Sequence, residues 1–242
     1  MTIFARCRIA RTLRARLTLR RVRARLFGAF LAYLTTPIAR DRSAPAAGME
    51  SLAVVLRRGD VLLTEGNTRA SRLVRCLTRS PWSHVSMYVG PLDDGQDPRC
   101  IVEADIAEGV RSIRLSELDA VKIRVLRPTS LDSTNRSRLA EWVTSRIGSE
   151  YDHAHAWLLG RRLLRLPARA SLGSSSKATA SSATRFICCS LLAHAFASVG
   201  LAIAPVRASP GSTLGADPAS VTPGDFAQAP VFEVISAATE PA

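Results

Sequence analysis

The sequence predicts an α+β fold in which an antiparallel sheet packs against helices. Short strand-like segments dominate the first half of the body, and mixed helices surround and follow them, which is not the strict alternation of a doubly wound parallel sheet. Apolar residues make up 47% of the 242 residues and charged residues 22%, so the chain can form a packed core and is not wholly disordered.

The first 48 residues predict a basic amphipathic helix followed by a linker. Residues 3–34 contain no proline and interleave arginines with apolar residues at spacings near four. Eleven Arg against one Asp and one Glu give residues 1–50 a charge of +9, out of +13 for the chain. Such a helix could lie on an anionic membrane, bind nucleic acid, act as a targeting peptide or pack on the domain. Membrane contact is the favoured interpretation and nucleic acid is not expected.

The remaining residues, 49–242, are predicted to form one domain. A turn sequence, PLDDGQDP at residues 91–98, joins two strand-like runs into a hairpin. Residues 168–184 are rich in Ser and Ala and predict a loop insert. Strands are predicted at residues 60–64, 84–89, 101–106, 110–115, 121–126 and 231–235, and helices at 67–78 (capped by Asn67), 131–147 and 186–199.

Cysteine and hydropathy patterns predict a cytoplasmic protein, with peripheral contact to the inner face of the membrane as an extension. Five cysteines, an odd number in a chain of this length, favour reduced thiols. The sequence has no apolar run of the roughly 18 residues that a spanning helix needs. His153 and His155 lack Cys or Glu partners at ligand spacing, so neither a metal nor another cofactor is predicted.

The helix predicted at residues 186–199 carries the strongest candidate nucleophiles. Cys188 and Cys189 lie in its first turn, where the helix dipole and unpaired N–H groups favour a thiolate. The same N–H groups can stabilise an oxyanion that develops on an attacked carbonyl. A buried structural cysteine remains the commoner role for such a residue.

A nucleophilic cysteine needs a base, and His84 is the best-placed of the four histidines. It opens a predicted strand, so the sheet would set the direction of its side chain. Glu103 and Asp105 lie on the next strand of the predicted hairpin, and either carboxylate could orient the ring. The pattern alone leaves this choice open.

Together these segments resemble the permuted papain-like amidases of the YiiX/YaeF type. The resemblance spans about residues 52–235, and histidine precedes cysteine, as in the circularly permuted branch of papain-like enzymes. The motifs that carry it are GDVLL at 59–63, LTRS at 77–80, WSHV at 82–85, YVG at 88–90, VEA at 102–104, EGV at 108–110, YD at 151–152, IC at 187–188 and TPGDF at 222–226.

The resemblance implies a circularly permuted papain-like fold with Cys188 as nucleophile, His84 as base and Glu103 as orienting acid. Cys189 occupies a position where the family usually has Ser. The family's Tyr-Asp pair falls on Tyr151 and Asp152, which are expected to bind substrate or to support the fold.

The function implied is a cysteine hydrolase that cleaves an amide or ester acyl bond through a thioester. The substrate would be an acyl-containing small molecule, peptide or lipid. Two alternatives remain: a membrane-associated acyltransferase of the lecithin–retinol acyltransferase type, and a non-catalytic binding module recruited by the basic head.

Overall fold

The fold is given by a computed structural model that describes residues 25–26, 28–38, 52–118, 122–163, 185–203 and 218–236. The strands described are β1 (Val61–Glu65), β2 (His84–Tyr88), β3 (Arg99–Asp105), β4 (Gly109–Arg114), β5 (Lys122–Pro128), β6 (Glu150–Tyr151), β7 (Arg185–Phe186) and β8 (Phe232–Ser236). The main helices are α1 (Arg69–Thr78), α2 (Ser133–Thr144), α3 (His153–Leu163), α4 (Cys188–Ser198) and α5 (Pro223–Gln228).

A six-stranded sheet forms the centre of the molecule, in the order β4-β3-β2-β1-β5-β8. Every neighbouring pair in it is antiparallel. The expected hairpin is present, with Met87 of β2 opposite Val102 of β3. A separate parallel pair joins β6 to β7. The α+β prediction with an antiparallel sheet is therefore confirmed.

The sheet is buried on both faces, which explains why its strands are apolar at consecutive positions. Successive side chains on a strand point to opposite faces. Val61 and Leu63 pack into one cluster, which includes the apolar face of α4, while Leu62 packs into another beneath residues 52–56 and the 3₁₀ helix Leu115–Leu118. Helix α4 lies against β2 and β3, so the sheet holds its first turn in place.

Three helices begin later than the sequence predicts, and one of them, α4, begins at Cys188 because Phe186 belongs to β7. The cap of α1 is Thr68 and not Asn67, because the Thr68 hydroxyl accepts a hydrogen bond from the Ser71 amide at 3.1 Å. Helix α2 begins at Ser133, where the carboxylate of Asp132 accepts from the Asn135 amide at 2.7 Å.

A buried ion cluster fixes the start of β1 to the neighbouring elements. The carboxylate of Asp60, which is fully buried, accepts two hydrogen bonds from Arg127 of β5, at 2.9 and 2.6 Å. It also accepts from the Arg57 amide at 2.8 Å and lies 3.6 Å from a guanidinium nitrogen of Arg136 on α2. One carboxylate thus links two strands and a helix.

The described residues between 25 and 35, which we call the N-terminal helix, are helical. Beyond its end, Pro37 forms a β-bridge with Thr68, and the Ile38 amide donates to the Asn67 carbonyl at 2.9 Å. Residues 3–24 of the predicted basic helix, residues 39–48 of the predicted linker and the insert at 168–184 lie outside the described residues. The division into a 1–48 head and a 49–242 domain stays a prediction.

Candidate active site

Cys188 is the first residue of α4. Ile187 before it is extended, and the Ile187 amide donates to the Ser190 hydroxyl at 3.0 Å, which defines the start of the helix. The Cys188 side chain is half-buried, whereas Cys189 is buried, and their sulfur atoms lie 3.7 Å apart. Of the two candidate nucleophiles, Cys188 is the one that solvent reaches.

His84 is the first residue of β2, and the sheet sets its position. Thr64 of β1 lies opposite it, and the Ser83 amide before it donates to the Thr64 carbonyl at 3.0 Å. Its ring Nε2 lies 2.9 Å from Oε2 of Glu103. The ring is therefore held by a carboxylate, as the sequence predicts.

The structure pairs His84 with Glu103 and not with Asp105. Continuing the register of Met87 and Val102 would place Asp105 directly opposite His84 and Glu103 on the diagonal, within reach of a long side chain. The shorter Asp105 side chain is engaged elsewhere, because its Oδ1 accepts from the amides of Ala107 and Glu108 at 2.8 and 2.9 Å. Asp105 thus stabilises the β3–β4 turn.

Arg111 is part of the site although no motif in the sequence points to it. It lies directly across from Glu103 in the β3–β4 pair. Its Nε and one terminal nitrogen donate to Oε1 of Glu103 at 3.0 and 2.8 Å, while the other terminal nitrogen donates to Glu108 at 2.7 Å. Glu103 therefore has one oxygen on Arg111 and the other on His84.

The thiol of Cys188 and the ring of His84 perturb each other strongly. A hydrogen bond from Cys189 holds the pKa of Cys188 well below its usual value, against the opposing effect of burial, and the charge of His84 and a hydrogen bond to it act in the same direction. Burial by itself lowers the pKa of His84, but the charges of Cys188 and Glu103 outweigh it, so the net pKa is raised well above 6.5. These directions favour a thiolate–imidazolium pair.

The neighbouring groups have matching protonation states. Burial alone would raise the pKa of Glu103. His84 and Arg111, through their charges and their hydrogen bonds to the carboxylate, lower the pKa to about 2, so Glu103 is ionised at neutral pH. Burial and the adjacent Cys188 raise the pKa of Cys189 well above its usual value. Cys189 therefore remains a neutral thiol, and it can donate its proton to the Cys188 sulfur.

Tyr151, on β6, lies close enough to the thiols to feel their charges, and Asp152 directly precedes α3. Burial, followed by the charges of Cys188 and Cys189, raises the pKa of Tyr151 well above 10, so the phenol keeps its proton. Asp152 caps α3, because its carboxylate accepts from the His155 amide at 2.9 Å. This contact supports the fold-supporting interpretation of Asp152, and a role in substrate binding stays a prediction for both residues.

Gly109 allows the segment that carries Tyr151 to approach the β3–β4 turn. It has a φ of +80°, and a Cβ atom there would lie only 2.3 Å from the carbonyl oxygen of Ser149. The Val110 amide donates to the same oxygen at 2.8 Å. Glycine is needed here both for its backbone angle and for the contact, which explains the EGV motif.

The TPGDF motif forms the start of α5, which packs on the segment that leads into His84. Thr222 caps α5 together with Asp225, whose carboxylate accepts from the Thr222 amide at 2.7 Å. A Cβ atom at Gly224 would lie 3.1 Å from Cβ of Ser80, four residues before His84. The start of α5 therefore packs closely on the segment between α1 and His84.

Comparison with known proteins bears directly on this arrangement. Residues 55–160 match the family described as permuted papain-like amidase enzyme, YaeF/YiiX, C92 family. The resemblance to the permuted papain-like amidases is confirmed. The match implies a cysteine amidase or peptidase-like enzyme, and thus a cysteine hydrolase in general. It includes His84, Glu103 and Arg111 and ends before Cys188. No curated protein matches the chain.

A solved structure has the same fold as the described chain. The crystal structure of metalloprotein yiiX from Escherichia coli O157:H7 superimposes with a TM-score of 0.52 at 17% identity, covering 74% of this chain and 96% of the other. At this level of identity the likeness concerns the fold alone.

The word "metalloprotein" belongs to the description of the Escherichia coli protein and not to this chain. Within the described ranges of this chain, no group of three or more His, Cys, Asp or Glu residues is arranged to hold a metal ion. In the same ranges, no helix combines the length and hydropathy needed to span a bilayer.

Proposed function

We propose that the protein is a cysteine hydrolase that cleaves an amide or ester acyl bond, with Cys188 as nucleophile, His84 as general base and acid, and Glu103 as the carboxylate that orients His84. The observation that carries the proposal is the mutual perturbation of Cys188 and His84, which lie 104 positions apart in the sequence. It is supported by the hydrogen bond of 2.9 Å between His84 and Glu103. Arg111 is a positioning residue in this proposal.

The first half of the reaction forms a thioester. Glu103 engages Nε2 of His84, so Nδ1 is the ring nitrogen that exchanges a proton with Cys188. The thiolate attacks the carbonyl carbon, and the C–N or C–O bond of the substrate breaks. The leaving amine or alcohol takes the proton from the imidazolium, which becomes neutral imidazole.

The second half releases the acyl group to water. The neutral ring of His84 accepts a proton from water as the hydroxide attacks the thioester carbonyl. The C–S bond breaks, a carboxylic acid leaves and the thiolate–imidazolium pair is restored. In both halves the amides at the start of α4 supply positive potential near the carbonyl oxygen, because the first N–H groups of a helix have no acceptor within it.

Substrate contacts are proposed for Tyr151 and Asp152. The raised pKa of Tyr151 keeps its hydroxyl available as a donor beside the sulfur atoms. Asp152 already accepts a bond from the His155 amide, so in this proposal it acts mainly by fixing the backbone that presents Tyr151. The substrate itself is an acyl-containing small molecule, peptide or lipid.

Membrane contact through residues 3–34 is part of the proposal, and it would hold a cytoplasmic enzyme at the inner face of the membrane. It is supported by the arginines between apolar positions in this segment. An acyltransferase would use the same thioester and pass the acyl group to an amine or alcohol. A non-catalytic binding module would not need an activated thiol.

The test follows an acyl-enzyme by intact mass. The full-length protein is incubated with short peptide amides and acyl esters, quenched with acid and measured, with and without an added amine acceptor. We expect an acyl adduct that hydroxylamine removes and that Cys188→Ser abolishes. The matched control Cys189→Ser introduces the residue usual in the family and should keep the adduct.

The outcomes separate the three hypotheses. Release as free acid supports the hydrolase, while transfer to the added amine in preference to water supports the acyltransferase. An adduct that forms equally well in Cys188→Ser, or on Cys189 alone, would overturn the assignment of the nucleophile. If no donor acylates the folded wild-type protein and its Cys188 has an ordinary pKa, the catalytic proposal fails.

A further inference from the structure

Three helices of the described chain carry arginines and contain no acidic residue. The N-terminal helix, α1 and α3 include no Asp or Glu in their sequences, although the chain has 20 such residues. Their arginines include Arg25, Arg69, Arg72 and Arg161. A further arginine of α1, Arg75, forms an ion pair with Glu65 of β1.

The same helices expose large apolar side chains to solvent. Trp157 of α3 is 60% exposed and Leu73 of α1 is 52% exposed, and Leu158, Phe30 and Tyr33 are also exposed. No residue of helix α1 is fully buried, whereas the apolar face of α4 is fully buried. A helix of a globular protein normally covers its apolar face, so this surface is suited to contact with something else.

The three helices are neighbours, with α1 in the middle. Helix α1 contacts α3, where a Cβ atom at Gly160 would lie 3.9 Å from the Leu77 side chain. On the other side, the guanidinium of Arg69 lies 4.4 Å from the ring centroid of Tyr33. We call these three helices the basic apolar face.

The basic apolar face is connected directly to the candidate site. Helix α1 leads through residues 79–83 into His84, and α3 begins immediately after Tyr151 and Asp152. The face is therefore continuous along the chain with His84 at one point and with Tyr151 and Asp152 at another.

We infer that the basic apolar face binds an anionic lipid bilayer and places the candidate site against it. Arginines with Trp and Leu between them match a bilayer interface, because the guanidinium groups meet lipid phosphates while the apolar side chains enter the acyl boundary. Each basic residue near an anionic surface strengthens the attraction, and added salt weakens it. Nucleic acid would engage the arginines but would leave the aliphatic side chains of Leu73 and Leu158 without an apolar partner.

This surface goes beyond the head proposed above, since α1 and α3 belong to the body of the protein. The inference concerns binding and does not depend on catalysis. Cys188→Ser is therefore expected to bind vesicles as the wild type does, even if the proposed function fails.

The experiment measures vesicle binding and tryptophan fluorescence of the full-length protein together. Trp82 is 3% exposed and Trp142 is partly buried, so Trp157 is the tryptophan expected to report contact. We expect a blue shift and co-sedimentation with phosphatidylcholine vesicles that contain phosphatidylglycerol, weakened by salt, and little of either with phosphatidylcholine alone. Trp157→Phe should remove the blue shift and keep binding.

Variants separate the body from the head. Leu73→Ser combined with Leu158→Ser should weaken partitioning into the vesicles at least about 10-fold, because two apolar side chains that would enter the bilayer are lost. The matched control is Val234→Ser, at a position on β8 that is 54% exposed and distant in the fold from these helices, and it should bind as the wild type does.

Two results would overturn the inference. In the first, the protein co-sediments with anionic vesicles while the Trp157 fluorescence and the Leu73/Leu158 variant are unchanged, which would mean that the head alone binds. In the second, single-stranded DNA shifts the Trp157 fluorescence and anionic vesicles do not, which would assign the face to nucleic acid.

Discussion

Replacing His84 by Ala tests the reactive pair most directly. An ordinary cysteine has a pKa of about 8.5, so only about 3% of it is thiolate at pH 7. The pKa of Cys188 is held well below its usual value, by the Cys189 hydrogen bond first and then by His84, which increases the thiolate fraction at pH 7. Complete loss of these effects would reduce the thiolate by at most about 30-fold. His84→Ala removes only the imidazole's share, so about 30-fold is its upper limit.

The assay is the pH dependence of the thiolate ultraviolet absorbance, taken as the difference between a protein and its Cys188→Ser counterpart. This difference isolates Cys188 from the other four cysteines. In the wild type the midpoint of the absorbance change should lie below that of an ordinary thiol, and in His84→Ala it should move to higher pH. Alkylation by iodoacetamide gives a second reading, although a more basic thiolate is intrinsically more reactive and partly offsets the loss.

A second variant with a larger, polar side chain that does not ionise controls for the cavity that alanine leaves. His84→Asn should shift the midpoint as His84→Ala does, because neither side chain can carry the imidazolium charge. Circular dichroism of both variants reports whether the sheet is intact. An unchanged midpoint in two folded variants would refute the idea that the imidazole activates this sulfur.

Three further predictions concern the groups around the pair. Glu103→Gln removes the charge that raises the pKa of the imidazolium, so the alkaline limb of the pH–rate profile should move to lower pH; a limb that stays in place contradicts the orienting role. Arg111→Met should lower kcat about 10-fold with little change in KM, with partial recovery in Arg111→Lys, while Arg114→Met on the exposed side of the same strand should have no effect in steady-state kinetics. Gly109→Ala should lower the free energy of unfolding by about 3 kcal/mol in urea melts, and Gly148→Ala by about 1 kcal/mol. Both glycines have a positive φ, but only at Gly109 would the added Cβ atom meet a backbone oxygen. Equal losses would show that this close contact is unimportant.

Six of the described strands and the helices α1, α2 and α4 were predictable because their patterns are local, whereas α3, α5, β6 and β7 were not predicted. The alternation from residue 84, the turn at 91–98 and the apolar stripe of α4 each specify one element, and the order of motifs linked His84 to Cys188. The choice of Glu103 over Asp105 was not predictable, since it depends on side-chain length and on the turn that Asp105 stabilises.

Arg111 was missed for a compositional reason. Arginine supplies nearly all of the 33 basic residues, so no single arginine attracts attention in the sequence. The usable signal was its position directly opposite Glu103, because opposite charges across an antiparallel pair stabilise each other. That signal requires the β3–β4 register, which the sequence alone does not determine.

The Asp60 cluster has a consequence for mutational screens. Asp60 directly precedes β1, whereas Thr64, which lies opposite His84, is near the other end of that strand. Asp60 and Thr64 are therefore about 13 Å apart along the strand. Removing its carboxylate would strand the guanidinium of Arg127 in the protein interior, a defect that costs about 3–5 kcal/mol. A scan scored by activity alone would rank Asp60 beside the nucleophile, whereas a parallel measurement of protein abundance would identify it as a residue required for folding.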